Sequence, residues 1–227
     1  MVQDVASSWN LVDAAPHSSA EEQVLREVFW RLLSGDPVAP ATVARSIGLP
    51  RDAVDEAIAA LEAQRCLRRT VVDGSVVAAR GLMTQPSRHR LVTDEGTVFT
   101  QCAVDAIAIP GALGIAGRVE DSCPVCERHI TITVGQDREL RVTPPPAVVV
   151  MARAERAADC CDESGIPTMC NETNLFCCSD HAASWQGETA TLENVVVTPI
   201  KALEAGRPLW RRFAERDTDP GSRSERQ

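Results

Sequence analysis

Residues 99–113 read FTQCAVDAIAIPGAL, an apolar run that begins with a thiol, Cys102, and a carboxylate, Asp105. We expect a helix over residues 102–109, which Pro110 then interrupts because its ring nitrogen cannot donate a backbone hydrogen bond. Side chains three residues apart on a helix project from the same face. The stretch therefore predicts a core helix whose first turn carries two reactive groups.

The surroundings of these two groups should affect them in different ways. In the first turn of a helix, unpaired backbone N–H groups and the helix dipole favour a thiolate at Cys102. Burial among alanine and isoleucine side chains should raise the pKa of Asp105, so that it holds a proton near neutral pH. The plain alternative is that Cys102 is a small core residue and Asp105 a cap or a salt-bridge partner.

The composition is that of an ordinary globular protein with an acidic surface. The chain has 227 residues, is 44% hydrophobic and carries a formal net charge of −9. Such a surface repels phosphate backbones and anionic lipid headgroups, so nucleic acid and membranes are poor partners. The first residues show no signal-peptide pattern, and no stretch approaches the roughly 20 apolar residues of a membrane span. We therefore expect a cytoplasmic protein whose nine cysteines serve metal or thiol chemistry.

The patterning predicts an α+β fold, with an N-terminal winged helix-turn-helix-like domain followed by a mixed strand/helix catalytic domain. Three helical patterns, the first opened by a capping box at Ser19–Glu22, precede a hairpin that turns at Asp73–Gly74. Strand patterns follow, with a hairpin expected around residues 94–96 and an alternating strand at residues 128–134. Helices are expected around residues 179–186 and 200–215. The predicted organisation is an N-terminal extension (1–17), a winged-helix-like domain (18–82), a catalytic domain (83–215) and a disordered tail (216–227).

Cysteines are concentrated in residues 158–185. This stretch contains His181 and five cysteines: Cys160, Cys161, Cys170, Cys177 and Cys178. Thiolates are preferred ligands of soft metals, so this density predicts a soft-metal site. Cys123 and Cys126 form a Cys-x-x-Cys pair, which is compatible with half of a structural zinc site, a dithiol, or a turn with two buried thiols. In the zinc interpretation, the completing ligands would be Cys160, Cys161 or Cys170.

Two segments together resemble the organomercurial (alkylmercury) lyases. The first, FTQCAVDAIAIPGALGIAGRVEDSC at residues 99–123, has that family's Cys-Ala-x-Asp, the later proline and a further cysteine at its end. The second, NLFCCSDHAASW at residues 174–185, resembles the family's Phe-Cys-Cys followed by a tryptophan. The resemblance covers about residues 20–214, and the two motifs in this order are far more specific than either alone.

The resemblance implies protonolysis of a carbon–mercury bond, which releases a hydrocarbon and Hg(II). By match, Cys102 and Cys177 would bind mercury and Asp105 would deliver the proton to the leaving carbon. Cys123 would be mainly structural and Cys178 not central to the chemistry. No cofactor is required, and small thiols and a mercuric reductase are the expected acceptors of Hg(II). The candidate accessory metal ligands are Cys178, Cys123, Cys126, Cys160, Cys161 and Cys170.

Two other functions remain open at this point. The first is a soft-metal-responsive transcriptional regulator that binds DNA through the winged helix, although the helix predicted over residues 50–64 carries mostly carboxylates where DNA recognition needs basic groups. The second is a divergent family member that binds metal through thiols without cleaving anything. Asp105 favours the lyase over this second alternative, because a pure thiol trap has no use for a buried acid.

Overall fold

The computed structural model describes residues 17–153 and 168–214. The predicted disordered tail, Cys160, Cys161 and all but the last residue of the predicted N-terminal extension lie outside these described residues. The described chain has a mixed α+β fold with a large antiparallel sheet, as the sequence predicts. No helix within it is long and apolar enough to cross a lipid bilayer.

Three helices open the fold: α1 (Ser19–Leu32), α2 (Pro40–Ile47) and α3 (Arg51–Ala63). The capping box of α1 pairs Ser18 with Glu21, one residue earlier than predicted, because the Ser18 hydroxyl accepts the N–H of Glu21 at 3.2 Å. The apolar face of α1 is buried, as its helical spacing predicts. The predicted hairpin follows as two paired strands, with Gly74 in the left-handed region between them.

An eight-stranded antiparallel sheet forms the centre of the protein, in the order β1-β2-β3-β5-β4-β6-β7-β8. Its strands are β1 (Leu67–Arg69), β2 (Val76–Ala79), β3 (Leu82–Met83), β4 (His89–Thr93), β5 (Gly96–Thr100), β6 (Gly117–Ser122), β7 (His129–Val134) and β8 (Leu140–Thr143). The strands β4 and β5 form the hairpin predicted around residues 94–96, and β6 and β7 are joined by the Cys-x-x-Cys turn.

The apolar stretch at residues 99–113 contains α4 (Ala103–Leu113), and every residue of this helix is buried. The expected interruption at Pro110 is wrong, because the helix continues to Leu113 and ends at Gly114 in the left-handed region. Pro110 lies within the helix and packs so closely on β6 that a Cβ added at Gly117 would lie 2.8 Å from the proline Cβ. The favourable packing on every side of α4 therefore compensates for the cost of the backbone hydrogen bond that proline cannot donate.

The C-terminal part of the chain covers α4. A three-stranded antiparallel sheet has the order β10-β9-β11. Its strands and the neighbouring helices are β9 (Val148–Ala152), α5 (Thr168–Asn171), β10 (Asn174–Phe176), α6 (Ser179–Glu188), β11 (Asn194–Val197) and α7 (Pro199–Trp210), with a final 3-10 turn at Arg211–Phe213. The helices α6 and α7 lie where the sequence predicts helices.

The close packing of α7 on α4 depends on Gly206. A Cβ at this position would lie 2.6 Å from Cγ1 of Val104 and 2.7 Å from the Cβ of Ala108. We expect Gly206→Ala to lower the free energy of unfolding by about 1–3 kcal/mol, the usual cost of overpacking a core. Urea unfolding followed by circular dichroism measures this change. The matched control is Gly187→Ala in α6, where nothing lies within 4 Å of the added Cβ. A destabilisation of equal size in both variants would contradict the prediction.

Candidate functional site

The first turn of α4 brings Cys102 and Asp105 together. Cys102 is the N-cap residue, and its N–H donates to Oδ2 of Asp105 at 3.2 Å. In return, the N–H of Asp105 is directed at the Cys102 sulfur, so the two residues form a reciprocal capping box. Both side chains are buried. The one-turn spacing thus places a thiol and a carboxyl group side by side in the core.

Cys170, at the end of α5, completes this arrangement. The sulfurs of Cys102 and Cys170 and a carboxylate oxygen of Asp105 all lie within 4.8 Å of one another. The chain after α5 is held against α4 because the N–H of Ala103 donates to the carbonyl oxygen of Thr173 at 3.2 Å. We refer to Cys102, Asp105 and Cys170 as the Cys102 group.

Burial controls the proton affinity of the Cys102 group. Loss of water around Asp105 raises its pKa to about 6, in the direction that the sequence predicts. Burial, the hydrogen bond with the Cys170 thiol and the negative charge of Asp105 raise the pKa of Cys102 well above its usual range. The expectation that the helix start keeps Cys102 ionised is therefore wrong, because desolvation outweighs the helix dipole. Burial thus favours the protonated form of this thiol.

The environment of Asp105 leaves no room for a larger neighbour. Gly81 has φ +91°, and a Cβ at this position would lie 2.8 Å from Cγ of Asp105. A second buried pair, His89 and Asp121, places the imidazole Nδ1 2.6 Å from a carboxylate oxygen. A hydrogen bond with Cys102 and, to a lesser degree, the nearby His89 lower the pKa of Asp105 and partly oppose the effect of burial. The carboxyl group of Asp105 is thus tightly packed, and its pKa of about 6 lies close to neutral pH.

Cys177, the predicted second mercury ligand, belongs to a different set of side chains. Its sulfur lies 3.2 Å from Nδ1 of His181 and 3.6 Å from the sulfur of Cys126. The sulfur of Cys123 lies 3.5 Å from the same His181 nitrogen. The ligand atoms of Cys123, Cys126, Cys177 and His181 all lie within 4.8 Å of one another. We refer to these four residues as the Cys177 group.

The thiols of the Cys177 group differ in proton affinity. Burial acts to raise the pKa of Cys123, but backbone N–H groups of Cys177, Val125 and Cys126 donate to its sulfur and lower that pKa to about 6. Burial and hydrogen bonds with the Cys126 and Cys123 thiols raise the pKa of Cys177 to about 12. The N–H donors thus favour the thiolate form of Cys123, whereas burial favours the thiol form of Cys177.

The structure thus divides the predicted site residues in a way that the sequence did not. Cys102 and Asp105 are together, but Cys170 takes the place beside them that the sequence assigned to Cys177. The motif match favoured the conspicuous Cys177–Cys178 doublet over the single Cys170. The position of His181 beside Cys123 and Cys177 was not predicted either, although its spacing of four residues from Cys177, at the start of a helix, is a usable signal. Cys178 belongs to neither group.

Comparisons with known proteins agree on one family. The family model for alkylmercury lyase matches residues 82–211, more than half of the chain. The alkylmercury lyase of Streptomyces lividans is 28% identical over 205 residues, which are 90% of this chain and 89% of the relative. That of Staphylococcus epidermidis is 26% identical over 201 residues, or 88% of each chain.

The fold is similar to that of a solved structure as well. The crystal structure of the mercury-bound form of MerB2 superposes with a TM-score of 0.74 at 20% identity, over 94% of this chain and all of the other. At this level of identity, the likeness shows a shared fold. Together with the family model and the curated relatives, it leads to one conclusion: the chain belongs to the alkylmercury lyase family, enzymes that act on organomercurials.

Proposed function

We propose that this enzyme cleaves carbon–mercury bonds by protonolysis at the Cys102 group. The observation that carries the proposal is the meeting of two thiols and one carboxyl group, all buried and all within 4.8 Å of one another. Cleavage of a carbon–mercury bond needs two soft ligands on the mercury atom and one acid beside the carbon that leaves it. This assignment replaces Cys177 by Cys170 as the second mercury ligand.

The chemistry follows from the nature of the bond. A carbon–mercury bond is nearly covalent and inert to water, so its cleavage needs donor ligands that weaken it and an acid that protonates the departing carbon. In the proposed reaction, R–Hg–X and two cysteine thiols give R–H, a mercury(II) ion bound by two thiolates, and HX. Two sulfur–hydrogen bonds, the carbon–mercury bond and the mercury–X bond break, while two mercury–sulfur bonds, one carbon–hydrogen bond and the H–X bond form, with no change in oxidation state.

Asp105 carries the proton in this scheme. The thiol proton of Cys102 is released when mercury binds its sulfur, and the carboxylate of Asp105 lies within reach to accept it. A pKa of about 6 lets the same group then donate that proton to carbon, because a shuttle works best when its proton affinity lies close to the working pH. Burial of all three groups keeps water from intercepting the proton.

The product is Hg(II) on the sulfurs of Cys102 and Cys170. Small thiols would remove it by exchange, and a mercuric reductase would accept it downstream. The substrate is itself the source of the mercury, so the scheme uses only side chains of this chain and no further cofactor.

We also propose that the chain is divided into two domains. We interpret residues 18–82 as a winged-helix-like unit and residues 83–215 as the catalytic domain of a cytoplasmic enzyme. Two arginines of the winged-helix-like unit are engaged in ion pairs: Arg51 contacts Asp55 at 2.8 Å and Arg69 contacts Glu62 at 2.5 Å. Their charges are thereby offset, which supports a structural rather than a DNA-binding role.

The lyase activity can be tested directly with an arylmercury compound and an excess of a small thiol. We expect the wild-type protein to release the arene over many turnovers, as measured by gas chromatography of the extracted hydrocarbon. Cys102→Ser is the negative control, because serine lacks a soft donor for mercury. Stoichiometric uptake of mercury without hydrocarbon would overturn the proposal and support a thiol-based mercury trap instead.

A further inference from the structure

The Cys177 group has the geometry of a tetrahedral metal site. In a zinc site with zinc–sulfur bonds of about 2.3 Å and zinc–nitrogen bonds of about 2.0 Å, two sulfurs lie about 3.8 Å apart and a sulfur and a nitrogen about 3.5 Å apart. The observed separations are 3.6 Å between the sulfurs of Cys126 and Cys177, and 3.5 Å and 3.2 Å from Nδ1 of His181 to the sulfurs of Cys123 and Cys177. Three edges of the tetrahedron are therefore already close to their expected lengths.

The local backbone also suits metal binding. Cys123 and Cys126 lie in a tight turn that the N–H of Glu127 closes by donating to the carbonyl oxygen of Cys123 at 2.9 Å. Glu127 has φ +60°, so the chain reverses immediately after the second cysteine. The N–H groups of Val125 and Cys126 point at the Cys123 sulfur. Such N–H donors stabilise a metal-bound thiolate because they donate hydrogen bonds to its sulfur.

The other two ligands come from a different part of the chain, the end of β10 and the start of α6. Cys177 follows β10, and His181 lies in the first turns of α6, four residues later, where both side chains reach the same point. The Cys-x-x-Cys turn joins β6 and β7 of the large sheet, whereas β10 belongs to the small sheet. A metal bound here would link the two sheets.

We propose that Cys123, Cys126, Cys177 and His181 bind one zinc ion in a structural site that is separate from the mercury chemistry. Three cysteines and one histidine are a standard structural zinc set, and four protein ligands leave no open position for a substrate. Mercury(II) favours two thiolates on opposite sides, an arrangement to which four converging ligands are less suited. The inference assigns Cys177 and His181 as the partners of the Cys-x-x-Cys pair, for which the sequence offered Cys160, Cys161 or Cys170.

The test is metal content and metal spectroscopy on the full chain, purified under reducing conditions without chelators or mercury. We expect one zinc per wild-type chain by inductively coupled plasma mass spectrometry. Exchange with Co²⁺ should give the intense visible absorption of a tetrahedral cobalt site and the thiolate-to-cobalt charge-transfer bands. Cys126→Ser and Cys177→Ser should each lose at least about nine-tenths of the bound zinc, because each removes one of four ligands.

Matched controls separate this proposal from the lyase proposal. Cys178→Ser changes the neighbouring cysteine, which is outside both groups, and should keep its zinc. Cys102→Ser should keep its zinc and lose hydrocarbon release. Cys126 is exposed, so its replacement leaves no core cavity and that variant should fold. Absence of zinc and cobalt binding in the wild type, uptake of Hg(II) alone, or retention of zinc by both Cys126→Ser and Cys177→Ser would overturn the zinc site, whatever the hydrocarbon assay shows.

Discussion

Cys170→Ser is expected to lower hydrocarbon release from an arylmercury compound by a factor on the order of 10³ or more, close to the loss expected for Cys102→Ser. Both sulfurs lie within 4.8 Å of each other and of the Asp105 carboxylate, so mercury bound between them has the acid within reach. With one sulfur left, mercury still binds, but the second donor that weakens the carbon–mercury bond is missing. The measurement is kcat/KM from gas-chromatographic detection of the arene.

The comparison that decides this prediction is with Cys177→Ser and Cys178→Ser. Cys177 lies in a separate group, so its replacement should reduce activity by less than about tenfold, through stability alone. Cys178→Ser should match the wild type. If Cys177→Ser lost the activity and Cys170→Ser retained it, the sequence-based pairing of Cys102 with Cys177 would be right and the pairing inferred from the structure wrong.

Asp105→Asn is expected to lower hydrocarbon release by about 10²–10⁴-fold, the usual contribution of a positioned acid or base. The amide is nearly isosteric and its oxygen can still accept the N–H of Cys102, but it cannot carry a proton to carbon. Both thiols remain, so mercury binding should persist. Mercury retained per chain after desalting, measured alongside the arene, separates loss of proton transfer from loss of binding.

The same variant is expected to be more stable than the wild type above pH 6. Burial raises the pKa of Asp105 from 3.8 to about 6, so the folded state holds this proton more tightly than the unfolded state does. The wild type therefore loses stability as the pH rises from 3.8 through about 6, and the loss remains above that range. Removing the charge should raise the free energy of unfolding by about 1–3 kcal/mol at neutral pH and by less near pH 5.

Urea unfolding of both proteins at the two pH values checks this effect. The activity and stability of Asp105→Asn should change in opposite directions, as expected for a group kept for chemistry at the expense of the fold. A variant that is both inactive and less stable than the wild type at neutral pH would mean that Asp105 acts mainly as a helix cap.

Local patterns in the sequence were sufficient for most of the secondary structure. Turn chemistry and side-chain periodicity act over only a few residues. They account for the hairpins around Gly74 and residues 94–96, the alternating strand at residues 129–134, and the helices near residues 179–186 and 200–215. The course of α4 through Pro110 was not predictable in this way. Local rules penalise proline in a helix, and only packing on all sides outweighs that penalty.

For the site, residue spacing alone was enough to place a thiol and a buried carboxyl group in the first turn of α4, because one helical turn brings positions 102 and 105 to the same face. The sequence also indicated the family, since two cysteine motifs in order are distinctive. Packing between distant segments, which local patterns do not encode, brings Cys170 rather than Cys177 beside Cys102 and places Cys177 with Cys123, Cys126 and His181. The same packing raises the pKa of Cys102, because desolvation depends on everything packed around the thiol, whereas the helix dipole can be inferred from the helix alone.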